Sequence, residues 1–217
     1  MKLKNKNLRK KFLIYGFAKS GITSLKYLKQ NNKCFIFDDN KKKFNNKYKK
    51  FFIPKSKLLN NNFDYIVISP GININTCQLS NYLKKNQKKI ITDLDIFYKF
   101  NPDILTITIT GTNGKSTTSK LLYEILKNHN YDVRLTGNIG KPILKEIKVT
   151  KKTIFVVEAS SYQLAYSKYF KSKFSLIINI SPDHLERHNT MKNYALSKLK
   201  CVTKQNENDI ALISNNN

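Results

Sequence analysis

Apolar and polar positions along this chain fall into short blocks that switch between two periods. Runs dominated by β-branched and aromatic residues read as strands buried on both faces: Phe12–Gly16, Lys33–Phe37, Asp64–Ser69, Lys89–Ile91, Ile104–Thr110, Asp132–Thr136, Thr153–Val157, Phe174–Ile180 and Asp209–Ser214. Between them apolar residues recur at helical spacing after Gly21 to about Gln30, over Thr76–Lys85, over Asp93–Phe100, from Lys115 to about His129 and over Lys192–Val202. Pro142 is placed to open one further short helix. Ser181 is placed to cap another that Pro182 would begin. Residues 41–62 are rich in lysine and asparagine and define no element. Strand and helix in steady alternation predict an α/β fold with parallel sheets and right-handed crossovers. Asn101-Pro102-Asp103 is the strongest internal break, since a fresh strand–helix series starts directly after it. The chain therefore divides into residues 1–101 and 102–217.

The second series opens on a strand, the turn Gly111-Thr112-Asn113-Gly114, and a helix headed by Lys115-Ser116-Thr117. That is the arrangement of a P-loop-type ATPase domain. Backbone N–H groups and the positive end of a helix dipole face a phosphate, Lys115 adds a charge for the β- and γ-phosphates, and the Ser116 hydroxyl can ligate Mg2+. The general P-loop pattern wants a glycine where Ile109 stands, so the loop is a shorter variant, with ATP as the expected nucleotide. The first series is Rossmann-like: Gly16-Phe17-Ala18-Lys19-Ser20-Gly21 follows a strand, and Asp38-Asp39-Asn40 ends the next one. Ala18 replaces the middle glycine, which disfavours a dinucleotide and leaves a nucleotide-sugar or an ordinary strand–helix turn.

In a parallel sheet the carboxyl ends of the strands share one edge. Gly137–Asn138, Glu158–Ser160 and Ser181–His184 follow strands as the glycine turn does, so all four can converge. Glu158 ends the apolar run TIFVVE, where a carboxylate is costly unless it is paired or bound to metal. His184 and His188 stand four apart on an expected helix, but Leu185 occupies the position where a zincin has glutamate, so zinc is disfavoured. The periodicity of the 192–202 helix does not single out one of its lysines.

Forty Lys+Arg against 14 Asp+Glu give a net charge of +26, a value at which nucleic-acid binding enters the picture. The lysines are spread rather than striped, arginine is limited to Arg9, Arg134 and Arg187, and asparagine and isoleucine are abundant throughout, as in AT-rich coding. The charge is therefore read as compositional, with no specific nucleic-acid partner, although such a surface attracts anionic substrates. Cys34, Cys77 and Cys201 are far apart, odd in number and without a CxxC pair, which points to a reducing cytoplasm and no disulfide framework. No apolar run reaches membrane-spanning length, so no membrane association is expected.

GTNGKST, GNIG, VVEASSYQL, NISPDHLERH and YALSKLK, in that order and spacing, resemble the Mur ligases of peptidoglycan synthesis, and within them the D-glutamate-adding members. The resemblance implies a UDP-sugar-binding domain at 1–101 and an incomplete central ATP-binding domain from 102, with the C-terminal domain absent. It implies ATP and Mg2+ as cofactors, UDP-N-acetylmuramoyl-L-alanine and D-glutamate as substrates, and an acyl-phosphate intermediate. Gly111, Thr112, Asn113, Gly114, Lys115, Ser116 and Thr117 would bind ATP, and Lys115, Glu158, His184 and Lys198 would be catalytic. Ser116, Glu158, His184 and Lys198 would serve the metal, Lys198 as a carbamate. Ser20 and Asp38 would meet uridine, although Asn40 stands where the family has a basic residue. Ser69, Gly71, Asn138, Ser160 and Gln163 would line the nucleotide-sugar. A chain that stops inside the central domain is expected to be a fragment, a truncated product or one half of a split enzyme.

Overall fold

The computed structural model describes residues 9–40, 46–146 and 148–214. The basic stretch before Arg9, part of the lysine–asparagine run and the last asparagines lie outside the described residues. Contacts divide the chain into two compact units, Met1–Ile96 and Phe97–Asn217. The division falls inside a helix, slightly ahead of Asn101-Pro102-Asp103.

The first unit is built on four parallel strands, β1 (Lys11–Tyr15), β2 (Lys33–Phe37), β3 (Tyr65–Ile68) and β4 (Ile90–Ile91), in the order β2-β1-β3-β4. The register pairs Leu13 with Phe35 on one side and Ile66 on the other. Leu13, Ile14, Ile36 and Ile66 are fully buried, as expected of strands covered on both faces. Helices α1 (Lys19–Leu28), α2 (Lys55–Leu59), α3 (Ser80–Lys85) and α4 (Asp93–Phe100) connect or follow these strands. The uninformative stretch after residue 45 holds a 3-10 turn at Asn46–Phe51 as well as α2. The helix expected from Thr76 begins only at Ser80, because Cys77 and Ser80 close turns on Asn73 and Cys77 carbonyls instead.

The second unit is a five-stranded parallel sheet in the order β6-β7-β5-β8-β9. Its strands are β5 (Leu105–Thr110), β6 (Val133–Gly137), β7 (Ile154–Glu158), β8 (Phe174–Ile177) and β9 (Ile210–Ile213). Helix α5 (Lys115–Asn128) returns across the sheet, and its Leu122, Tyr123 and Leu126 pack on Ile109, Val133 and Val156. The helix expected at Pro142 is a single 3-10 turn, Ile143–Lys145, with Pro142 outside it at ψ 135°.

The sequence pattern overlooked α6 (Ser161–Ala165), which is held by a reciprocal cap. Ser160 Oγ accepts from Gln163 N and Gln163 Oε1 accepts from Ser160 N. The helix expected at Ser181-Pro182 is instead α7, Leu185–His188, capped by His184 at φ 53°. Ser181 N–H is donated to Thr112 Oγ1 at 3.0 Å and Ser181 O accepts from Thr112 Oγ1 at 3.2 Å, so the segment is fastened to the glycine turn and the carbonyl that would accept the first intrahelical bond is engaged there. His184 is therefore outside the helix that carries His188, and the two do not share a helical face. Helix α8 spans Met191–Leu199, with the Thr190 side chain accepting from Asn193 N.

Candidate active site

Strand order places β5 at the centre of the second sheet, so its carboxyl end opens between two neighbours. Ile109 pairs with Glu158 on β7, and Thr110 pairs with Ile177 on β8. The turn after Thr110 therefore sits between the ends of β7 and β8. Gly114 adopts φ +79° at the cap of α5, the left-handed region in which a side chain is disfavoured. Its turn directs the chain into a helix whose first N–H groups, as in any α-helix, have no partner in the preceding turn. Ser116 and Thr117 are exposed in this first turn.

Two lysines converge on one carbonyl. Lys115 Nζ donates to Gly111 O at 2.9 Å and to Thr112 O at 2.6 Å. Lys198 Nζ, from α8, donates to the same Gly111 O at 2.6 Å. Lys198 is only 1 % exposed, and among the described residues no carboxylate bonds to it; its ammonium lies 4.4 Å from the centre of the Tyr194 ring. Burial pushes Lys198 down to about 8, the Lys115 charge adds to the effect, and Asp183 opposes it. Two cations thus share one dipole, an arrangement that an anion between them would relieve.

The loop is shaped by a residue that the strand pattern did not single out. Asn179 Oδ1 accepts from both Thr112 N and Asn113 N at 2.9 Å, and Asn179 Nδ2 donates to Asn113 O at 3.2 Å. Two of the backbone N–H groups expected to face an anion are thereby committed to an amide. The donors at the helix end and the lysines remain for that purpose. Tyr194 also went unremarked: its hydroxyl lies 3.1 Å from Thr112 Oγ1, which ties α8 to the turn. A polar residue two positions after β8, at the head of NISPDH, was the available signal for Asn179. Tyr194 heads the YALSKLK motif, but in sequence it resembles a core aromatic and nothing marks its hydroxyl for the turn.

Glu158 is fully buried at the end of β7. Asn138 Nδ2 donates to its Oε1 at 2.9 Å, and Asn138 N donates to its backbone oxygen at 2.9 Å. Gly137 makes this approach possible: at φ +105° a Cβ there would lie 2.2 Å from Glu158 O. The second carboxylate oxygen, Oε2, is buried without a hydrogen-bond partner. An acceptor left in this way is suited to a cation. His184 is more exposed; its ring packs 4.9 Å from that of Tyr162, and its nitrogens stand 3.4 Å from Asp183 and 3.6 Å from Glu186. His188 is buried, hydrogen-bonded to Ser161 Oγ at 3.0 Å, and its pKa is lowered first by burial and then by the Arg187 charge. Among the described residues no three His, Cys, Asp or Glu side chains converge on one point. A hard divalent ion here would rely on Glu158 with hydroxyl, water and phosphate oxygens, as Mg2+ commonly does.

The other expected ligands have structural partners of their own. Ser160 and Gln163 cap α6, and Gln163 is buried. In the first unit Asp38 is buried, and its carboxylate accepts from Phe17 N at 2.6 Å and Asn40 N at 2.8 Å, so it holds the glycine turn. Ser20 Oγ donates to Asp93 at 2.8 Å, and Ser69 Oγ donates to Gly16 O at 2.7 Å. Gly71 is exposed, and a Cβ added there would meet nothing within 4 Å. No helix among the described residues is long and apolar enough to cross a membrane.

A parallel sheet with a glycine turn and lysine-headed helix at its central strand defines an α/β protein of the P-loop kind. Residues 109–217 match the Mur ligase middle domain, and the chain belongs to that family. It is 35% identical over 208 residues to UDP-N-acetylmuramoylalanine--D-glutamate ligase of Rickettsia bellii, covering 94% of this chain and 46% of that protein. It is 37% identical over 214 residues to the ligase of the same name from Caldicellulosiruptor bescii, covering 92% and 45%. The chain thus spans a little under half the length of these curated relatives. Among solved structures, the UDP-N-acetylmuramate:L-alanyl-gamma-D-glutamyl-meso-diaminopimelate ligase from Neisseria meningitides shares the fold. It does so at TM-score 0.58 and 11% identity, over 97% of this chain and 72% of that one.

Proposed function

We propose that this chain is the N-terminal portion of an ATP-dependent amide-bond-forming ligase that joins D-glutamate to UDP-N-acetylmuramoyl-L-alanine. The observation that carries the reading is the convergence of Lys115 and Lys198 on the Gly111 carbonyl at the mouth of β5. The identity with D-glutamate ligases over nearly the whole chain supports the substrate assignment. The first unit, with its Asp38-braced glycine turn, is assigned to the UDP-sugar, and the second to ATP.

A carboxylate is a poor electrophile. In this reading the L-alanyl carboxylate oxygen attacks the γ-phosphorus of ATP, the bond to ADP breaks, and an acyl phosphate forms. The D-glutamate amine then attacks the acyl carbon, loses a proton and expels phosphate. Lys115 leaves the Gly111 and Thr112 carbonyls to neutralise charge on the transferring phosphoryl group. The α5 N–H groups orient the phosphates, and Asn179 and Tyr194 keep the turn in shape.

The unpartnered Glu158 Oε2 fits a magnesium ion, which supplies charge neutralisation at the phosphates. Ser116, Glu158 and His184 would hold it. Lys198 would join them as a carbamate, formed when its neutral amine adds to CO2 and releases a proton. Burial favours that neutral amine. Phosphate release that depends on both UDP-N-acetylmuramoyl-L-alanine and D-glutamate tests the reading.

A second reading is a non-catalytic module that holds UDP-sugar or ATP. Nucleotide binding without that phosphate release, even when the remaining segments of such a ligase are supplied as a separate chain, would favour it.

A further inference from the structure

The strand ends used above all lie at the carboxyl edge of each sheet. The opposite, amino edge of the first sheet carries a groove of about 1030 Å³ with a different chemistry. Lys11 and Lys33 face each other at the start of β1 and β2, Asp64 precedes β3 and Lys89 precedes β4. Arg9 and Lys50 complete the rim. At about 3.3 Å per residue, the five steps from Lys11 to Gly16 separate this rim from the Gly16 turn by roughly 17 Å.

The groove gathers five cationic side chains against one carboxylate. That carboxylate, on Asp64, is already engaged, accepting from Lys11 N at 2.7 Å and pairing with Lys10 at 3.5 Å. The neutral groups that these cations touch orient them without neutralising them. Lys11 Nζ donates to Asn61 Oδ1 at 3.0 Å and Lys89 Nζ to Asn62 Oδ1 at 2.5 Å. Lys11 and Lys33 lie 6.0 and 5.6 Å from the centre of the Phe35 ring, and Lys50 lies 5.4 Å from that of Phe51. Amide carbonyls and ring faces leave the full positive charge in place around a concave surface.

We propose that this groove binds a small anion carrying two or more phosphate groups, at a site separate from both nucleotide-binding turns. Single-stranded nucleic acid is the poorer fit, because it is recognised by bases stacking on open aromatic faces. Here Phe35 is flanked by the two lysines, and Phe63 is 1 % exposed with its ring against Phe35 at 5.6 Å. The groove is roomy enough to admit a ligand of nucleotide size. The inference does not depend on the ligase reading, since no residue of the groove takes part in it.

Calorimetric titration of tripolyphosphate at physiological salt, on the full chain and on its Lys115→Ala variant, is the test. Saturable binding should persist in Lys115→Ala. It should weaken about tenfold or more when Lys33→Gln and Lys89→Gln are combined. The pair Lys151→Gln and Lys152→Gln, exposed in the second unit, should leave it unchanged. Lys33→Gln with Lys50→Gln, both on exposed side chains, repeats the test should the first pair disturb the fold. Absence of saturable binding, its disappearance in Lys115→Ala, or equal weakening by the two kinds of pair would overturn the proposal. So would an oligonucleotide that displaces tripolyphosphate and binds more tightly through the same lysines.

Discussion

Glu158→Gln should make the second unit more stable while weakening its response to nucleotide. The substitution keeps the shape of the side chain and the bond from Asn138 to Oε1, and it removes a negative charge from a fully buried position. An acceptor oxygen buried without a donor costs about 1–3 kcal/mol, and more when it is charged. The amide leaves a neutral N–H in its place, so the net gain should be about 1–2 kcal/mol. The chain has no tryptophan, and its two units can unfold separately, so the readout should be local. Hydrogen exchange of the β5 and β7 amides supplies one, and the gain should slow it roughly 5- to 30-fold. With magnesium and ATP at a hundred times the dissociation constant, the unsubstituted chain should gain about 2.7 kcal/mol. The variant should gain distinctly less at the same concentrations. Opposite signs in the two measurements separate a ligand-directed carboxylate from a structural one. Faster exchange in Glu158→Gln, or an undiminished response to nucleotide, would refute the assignment of Glu158 to the metal.

Lys115→Ala should abolish ATP binding and leave UDP-sugar binding by the first unit nearly unchanged, because the two sets of residues lie in separate compact units; calorimetry with each ligand checks this. In a ligase completed with the remaining segments, Lys198→Ala should remove most activity, and acetate or formate should partly restore it. Lys192→Ala, exposed on the same helix, is the appropriate control. Lys200 would be a poorer one, since its ammonium is bonded to the Ala165 carbonyl. Asp209 is held at about 2, below its usual 3.8, first by its hydrogen bond from Lys171. Its contribution is therefore complete above about pH 4 and is lost as pH falls through 2. Asp209→Asn should speed exchange of the β9 amides at pH 5 and make no difference below pH 2.

Strand and helix order, and the phosphate-binding turn, were written locally. LTITIT followed by GTNGKST commits backbone, glycine and lysine within one short segment, and the structure places β5 and α5 within a residue of that pattern. The same locality explains the errors. Ser181-Pro182 is a good helix start in isolation, but Thr112, 69 positions away, engages the Ser181 carbonyl as well as its N–H. The α6 cap was legible as Ser-x-x-Gln and was overlooked because the apolar run behind it is so short.

What sequence alone could not decide is which groups share a point in space. By periodicity Lys198 looks like any lysine on a lysine-rich helix, and only the family resemblance singles it out. Only sheet order and the packing of α8 bring it onto Gly111 O, strip away its water and depress its proton affinity. Tyr194 and Asn179 have their roles for the same reason. Their partners lie 82 and 67 positions away in the chain, across a turn whose position is set by β5 running between β7 and β8. Composition accounted for the charge of +26 as a total, but the amino-edge groove depends on where parallel strands happen to start. Local pattern determines the elements because hydrogen bonding and burial act on neighbouring residues. Sites depend on tertiary structure because electrostatics and desolvation act between residues that only folding makes neighbours.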